Sequence, residues 1–97
     1  MIRLVVTAKL KKGTKNEFLK IVQELCKETR KEKGCIEYHC CSSDDPQLLY
    51  FIELWENEEA LEKHITSPHF VKYVPLLDEL KSEPSTFEKY ILSKITL

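Results

Sequence analysis

The segment from 47 to 56 constrains the fold of this chain more than any other, because it predicts a β-strand that is apolar on both faces. Its large apolar residues form two alternating sets: Leu49, Phe51 and Trp55 on one face, and Tyr50, Ile52 and Leu54 on the other. Helices on one side of an antiparallel sheet would leave the second apolar face in water, which is unfavourable. A second copy of the chain, packed face to face, would cover it, so we expect a homodimer.

Runs of β-branched and aromatic residues predict four strands. These strands are expected over residues 2–10, 35–42, 47–56 and 86–96. The middle two are joined by residues 43–46, Ser-Asp-Asp-Pro, which are typical of a tight connection. They therefore form a predicted hairpin.

Capping signals place a first helix between the first two strands. Thr14 and Glu17 have the spacing of a capping box, which predicts that the helix begins there. Gly34 suits the left-handed residue that follows a helix end, so we expect the helix to end near Lys33.

The segment after the third strand predicts two short helices that are kinked apart. Asn57 and Ser67 are preferred caps, and Pro68 suits the first position of a helix. The inward stripe of the first short helix is predicted to hold Ala60, Leu61, His64 and Ile65. The order β-α-β-β-α-β is that of an α+β, ferredoxin-like domain with an antiparallel sheet, and 97 residues fit one such domain over 1–97.

Charge balance and hydropathy exclude two classes of partner. With 15 basic and 16 acidic residues, the chain has no positive field that would gather nucleic acid. No apolar run approaches the ~20 residues that span a bilayer, so we expect no membrane partner and a cytoplasmic location. The four cysteines are expected as reduced, small apolar residues. A zinc site of Cys35, His39 and Cys41 on one strand face is the alternative.

Unusual residues cluster at one corner of the predicted fold. Glu53 and Trp55 share a face of the third strand, and His64 lies on the inward stripe of the next helix. These three side chains are expected to face one pocket between sheet and helices. We predict catalytic roles for His64, Trp55 and His69, and a substrate-binding set that is listed here: Glu53, Asn57, Phe70, Tyr73 and Tyr38.

Each of these residues also has a purely structural interpretation. Glu53 can pair with a basic side chain or accept from backbone amides. An indole and an imidazole on apolar faces can be core residues, and Asn57 can act only as a helix cap. The two tyrosines can likewise serve packing alone.

The two histidines flank the predicted helix break. His64 would lie near the C-terminus of one helix and His69 in the first turn of the next. Because helix dipoles act in opposite senses at the two ends, we expect a raised pKa at His64 and a lowered pKa at His69. Such a pair would supply an acid and a base.

The sequence resembles the antibiotic biosynthesis monooxygenase family, especially its small, stand-alone quinol monooxygenase type. The resemblance covers nearly the whole chain, and the residues that carry it come in one order: the Gly13 turn, Glu32 with Gly34-Cys35 and Tyr38, Glu53-x-Trp55, Leu61-x-x-His64, and Ser67-Pro68-His69 followed by Tyr73. Each motif alone is weak, and their order is what makes the resemblance specific.

The resemblance implies a homodimer whose sheets meet in a dimeric α+β barrel, with a pocket in each subunit. It further implies oxidation of a phenolic or quinol-like aromatic substrate by O2 without a metal, flavin or haem, so no cofactor is expected. The substrate then supplies the electrons, a histidine such as His64 deprotonates a hydroxyl, and Trp55 shapes the aromatic pocket.

Three other functions remain open at this point, because the family is functionally mixed. Some members resemble this chain in the His-x-x-Thr/Ser-Pro-His stretch, here residues 64–69, and are isomerases of small phosphorylated dicarbonyl metabolites, but they lack the tryptophan found here at Trp55. Haem-degrading members carry an asparagine on the first strand where this chain has Val6, which disfavours that function. A dimeric small-molecule-binding or stress protein without turnover is the third alternative.

Overall fold

A four-stranded antiparallel sheet with three helices on one side forms the fold in the computed structural model, which describes residues 1–97. The elements in chain order are β1 (Ile2–Lys9), α1 (Lys15–Thr29), β2 (Cys35–Ser42), β3 (Leu48–Trp55), α2 (Glu58–Ile65), α3 (Pro68–Glu79) and β4 (Thr86–Ile91). The strands lie in the order β2-β3-β1-β4. This confirms the predicted α+β, ferredoxin-like fold, with α2 and α3 together in the place of its second helix.

The register of the two central strands decides which side chains face the helices. Leu4 pairs with Glu53 and Val6 with Phe51, and these residues face the helical side. Val5 pairs with Ile52 on the opposite face, beside Leu54, Tyr50 and the ion pair between Arg3 and Glu37. No helix packs on that opposite face, so it is the apolar surface that the sequence predicted.

The core fills the space between the sheet and the helices. Its largest fully buried side chains, from both layers, are Trp55, Phe18, Leu10, Leu25 and Leu49. Burial of this apolar area is the main force that holds the helices on the sheet.

The first helix begins after Thr14 as predicted, but its capping and its end differ from the prediction. The hydroxyl of Thr14 donates to the carbonyl oxygens of Lys11 and Leu80 and does not cap the helix, so the predicted capping box is wrong. The helix ends at Thr29 and not near Lys33. The guanidinium of Arg30 donates from Nε and Nη2 to the Tyr38 carbonyl oxygen at 3.0 and 2.8 Å, which holds the chain against β2.

Gly34 joins the turn that follows α1 to the start of α2. Its φ of +89° is the predicted left-handed conformation, and its carbonyl oxygen accepts from the amide of Glu56 at 2.8 Å. A Cβ atom at this position would lie 2.5 Å from the Cβ of Ala60. Only glycine therefore lets this turn approach α2 so closely.

The caps of the two short helices are confirmed. The Oδ1 atom of Asn57 accepts from the amide of Ala60 at 2.9 Å, and the hydroxyl of Ser67 accepts from the amide of Phe70 at 3.3 Å. Ile65 is 48 % exposed, so its predicted place on the inward stripe is wrong. Strand β4 also ends at Ile91, five residues earlier than expected. None of the three helices is long and apolar enough to cross a membrane.

Candidate functional site

A cavity of about 860 Å³ lies between the helical face of the sheet and helices α2 and α3. Half of its lining residues are apolar, among them Leu4, Val6, Phe51, Leu61, Phe70 and Val74. This size and character suit a small, largely apolar molecule.

Glu53 places a carboxyl group in this apolar lining. It lies on the inward face of β3, is 4 % exposed, and has no basic partner. Its Oε1 atom accepts a hydrogen bond of 2.9 Å from the indole nitrogen of Trp55. Burial raises the pKa of the Glu53 carboxyl to about 7, although the indole hydrogen bond acts in the opposite direction. The site thus holds a carboxyl group that takes up or releases a proton near neutral pH.

His64 packs against three aromatic rings. Its ring centroid lies 4.6 Å from that of Trp55, 5.1 Å from Phe70 and 5.4 Å from Tyr38. The Nδ1 atom lies 2.7 Å from the Oε2 atom of Glu32. Because an ionised carboxylate can only accept, Nδ1 carries the proton, and the lone pair of the neutral ring is at Nε2. Nε2 makes no hydrogen bond to the protein, and His64 lines the cavity.

Glu32 is the functional residue that sequence reasoning missed. Its Oε2 atom also lies 2.8 Å from the Nε2 atom of His69, so one carboxylate oxygen joins the two histidines. Glu32 appears in the sequence within a Lys-Glu-Lys run, which is typical of a solvated surface. Two signals of its role were present in the sequence: Glu32 is among the residues that carry the family resemblance, and it lies two residues before the left-handed turn at Gly34.

The predicted rise in the pKa of His64 is wrong. Burial of the ring lowers its pKa, and the hydrogen bond that Nδ1 donates to Glu32 offsets this effect only in part. Desolvation of a ring that is 2 % exposed outweighs the partial charge at the end of an eight-residue helix. The lowered pKa favours the neutral form of the His64 ring.

Part of the cavity lining is charged or polar. Lys89 of β4 forms an ion pair with Glu58 of α2, and Lys81 pairs with Asp78 at 2.8 Å. The hydroxyl of Ser85 is buried without a hydrogen-bond partner and belongs to the same lining. It is available to a polar group of a bound ligand.

The structure brings together most, but not all, of the predicted site residues. Those that line the cavity are Tyr38, Glu53, His64 and Phe70. Trp55 is fully buried behind Glu53 and His64 and does not line the cavity. Its indole donates to Glu53 and packs against the His64 ring, so it positions these two residues. His69 reaches the site only through Glu32.

Two predicted substrate-binding residues lie elsewhere. The side chain of Asn57 caps α2 outside the cavity lining, which corrects its predicted role. Tyr73 packs against the core beside Lys72 and is likewise absent from the lining.

The predicted zinc alternative on β2 does not form. A register irregularity between Cys35 and Glu37 breaks the alternation, and His39 and Cys41 are exposed on the opposite face of the sheet. The ligand atoms that do lie close together are those of Glu32, His64 and His69.

The fold and the cavity define a small ferredoxin-like α+β protein with an aromatic, histidine-containing ligand site between sheet and helices. The chain belongs to the family described as antibiotic biosynthesis monooxygenase, whose model matches residues 1–76. The match ends within α3, so it includes every residue of the Glu32, Glu53, Trp55, His64 and His69 cluster.

Relatives and solved structures agree with this assignment. The Bacillus subtilis protein named "Putative monooxygenase YcnE" is 31% identical over 85 residues, which are 87% of this chain and 90% of that protein. A conserved protein from Methanosarcina mazei Go1 has a crystal structure with a TM-score of 0.88 and 34% identity, over 92% of this chain and 89% of that one. A crystal structure of an antibiotic biosynthesis monooxygenase has a TM-score of 0.91 and 26% identity, over 97% and 100% of the two chains.

Two curated relatives are longer than this chain. The chain spans 59% of the uncharacterized Synechocystis protein sll1783, at 31% identity, and 54% of the uncharacterized Bacillus subtilis protein YjcS, at 39% identity.

Proposed function

We propose that this protein is a cofactor-independent monooxygenase that oxidises a small phenolic or quinol-like aromatic with O2. The observation that carries the proposal is the pair of Glu32 and His64. Because Nδ1 donates to the carboxylate, the unprotonated Nε2 is left for the apolar cavity. A buried base that a carboxylate holds in one tautomer is suited to remove a proton from a bound hydroxyl group.

The reaction begins with transfer of the hydroxyl proton of the substrate to Nε2 of His64. The electron-rich anion then gives one electron to O2, and the resulting aryl radical and superoxide combine at a ring carbon. The peroxide takes up a proton, and its O–O bond breaks as the C–H bond at that carbon is lost. One oxygen atom stays as a carbonyl and the other leaves as water, so the substrate supplies all the electrons.

Glu53 supports the same chemistry in its protonated form. A carboxyl group with a pKa of about 7 is partly neutral at physiological pH and can donate a hydrogen bond to the aromatic anion. The apolar lining otherwise makes that anion costly, because it offers few donors.

The proposal includes a homodimer. Val5 and Ile52 are half-buried on the sheet face that no helix covers, and a second copy would remove their apolar surface from water. Sedimentation or light scattering at micromolar concentration should give twice the mass of the chain, and a monomer mass would contradict this part. A cytoplasmic location remains a prediction.

The direct test is oxygen uptake by metal-stripped protein with a panel of reduced quinols and naphthols. We expect uptake faster than substrate autoxidation, and a loss of at least about 100-fold in the His64→Ala and Glu32→Gln variants. His39→Ala is the matched control, because it removes an imidazole from the opposite face of the sheet. Uptake equal to autoxidation across the panel, or equal losses in the control, would contradict the proposal.

One observation favours a second function, isomerisation of a small dicarbonyl. Glu53 and His64 place an acid and a base in one cavity, as enolisation requires. A phosphate group could bind Lys81 and Lys89 of the lining by replacing their ion pairs with Asp78 and Glu58. Proton exchange at the substrate carbon without O2 consumption would support the isomerase over the monooxygenase.

A further inference from the structure

Three side chains from separate parts of the chain converge on one point beside the cavity. Glu32 comes from the turn after α1, His64 from the last turn of α2, and His69 from the first turn of α3. Their ligand atoms, Oε2, Nδ1 and Nε2, all lie within 4.8 Å of one another. A hydrogen bond fixes the link between α2 and α3. The hydroxyl of Ser67, which lies between the two histidines, donates to the His64 carbonyl oxygen at 2.6 Å.

No permanently charged side chain balances the carboxylate at this point. The Glu32 carboxylate is 13 % exposed and forms no ion pair with a lysine or an arginine. Its partners are two imidazoles, one of which is 3 % exposed. A partly buried carboxylate without a permanent cation is unusual, since buried charges are as a rule paired or bound to metals.

We propose that Glu32, His64 and His69 bind a divalent transition-metal ion of the zinc class. Two imidazole nitrogens and one carboxylate oxygen form a donor set that such ions prefer. The side chains of Glu32 and His69 are 13 and 15 % exposed, so an ion can enter from solution and keep a water as its fourth ligand.

The observed spacing is close to that of a loaded site. Metal–ligand distances of about 2.0–2.2 Å in a tetrahedron separate the ligand atoms by about 3.3 Å. The two contacts of the Glu32 oxygen measure 2.7 and 2.8 Å. Each therefore has to open by about 0.5 Å, which small side-chain rotations allow.

A bound ion would change what His64 can do. The metal would occupy Nδ1, so the neutral ring would carry its proton on Nε2 and lose the lone pair that faces the cavity. This site therefore goes beyond the proposed oxygenation, because a bound ion would prevent His64 from accepting the proton of the substrate.

The test is binding of Co²⁺ to chelator-treated protein without substrate, followed by displacement with Zn²⁺ in a calorimeter. We expect one Co²⁺ per chain with visible d–d bands and without the charge-transfer band of a thiolate ligand. The Glu32→Gln and His69→Gln variants should each weaken binding by at least about 100-fold, because each removes one of three ligands. His39→Gln, on the opposite sheet face, should leave binding unchanged.

These measurements decide the proposal independently of any activity. No saturable binding, a thiolate charge-transfer band, or equal affinity in wild type and both ligand variants would overturn it. Should Glu32→Gln fail to fold, pulsed electron paramagnetic resonance of the Cu²⁺-loaded wild type counts the coordinated imidazoles. Two coordinated imidazoles support the site, and one or none overturns it.

Discussion

Replacement of Glu53 by glutamine tests the electrostatics of the cavity most directly. Glutamine has nearly the shape of a protonated glutamate, and its amide oxygen can accept the hydrogen bond of 2.9 Å from Trp55. The variant therefore keeps the packing and removes only the titration. Any change in the pH dependence of stability can then be assigned to this one carboxyl group.

The magnitude follows from the pKa of Glu53, which burial raises from 4.5 to about 7. Between these values the folded protein holds a proton on Glu53 that the unfolded chain has lost. The stabilisation is therefore complete below pH 4.5 and is lost as the pH rises to about 7. A shift of this size corresponds to about 3 kcal/mol, at 1.36 kcal/mol per pKa unit.

The assay is urea unfolding of both proteins at a fixed protein concentration, at about pH 4.5 and about pH 8. We expect the free energy of unfolding of wild type, relative to Glu53→Gln, to fall by about 3 kcal/mol between the two pH values. Glu24→Gln, on the solvated face of α1, is the control and should run parallel to wild type. Parallel curves for wild type and Glu53→Gln would refute the reasoning.

Three further substitutions, with Gly13→Ala as a control, test the supports of the site by urea unfolding. Gly34→Ala should cost about 3 kcal/mol or more, because it adds a clash with Ala60 to an unfavourable positive φ. Gly13 has a φ of +81° but no atom near its missing side chain, so Gly13→Ala should lower the free energy of unfolding by only about 1 kcal/mol. Equal losses in the two variants would contradict the role of the close approach between Gly34 and Ala60. Trp55→Phe removes the indole hydrogen bond that lowers the pKa of Glu53. The free energy of unfolding should therefore continue to fall to a higher pH than in wild type. The same pH range of loss in both proteins would contradict this. Asn57→Ala should cost about 1 kcal/mol through loss of the α2 cap, and no loss would count against that cap.

Local patterns were sufficient to predict most of the fold. The alternation in residues 47–56 predicted both faces of β3, and the caps at Asn57 and Ser67 predicted the break between α2 and α3. Such signals lie within a few residues of the structure that they specify. The helix end near Lys33 was predicted wrongly, because Arg30 leaves the helix where its side chain bonds to Tyr38 on the next strand, β2, and this contact is not visible in the local pattern.

The site was predictable only in part. The sequence placed Glu53, Trp55 and His64 in one region, because neighbouring positions on a strand and on an amphipathic helix determine which side they face. It did not predict the sign of the pKa shift at His64, since burial is a property of the packed molecule.

The sequence by itself thus determined the element order, the apolar faces and the corner where the aromatic and histidine residues meet. Only the tertiary structure decided that Glu32 joins His64 and His69, and that Asn57 and Tyr73 lie outside the cavity. Local periodicity and capping specify each element, but contacts across 32 and 37 residues depend on how the elements pack. The left-handed turn at Gly34 and its fit against Ala60 set that packing here.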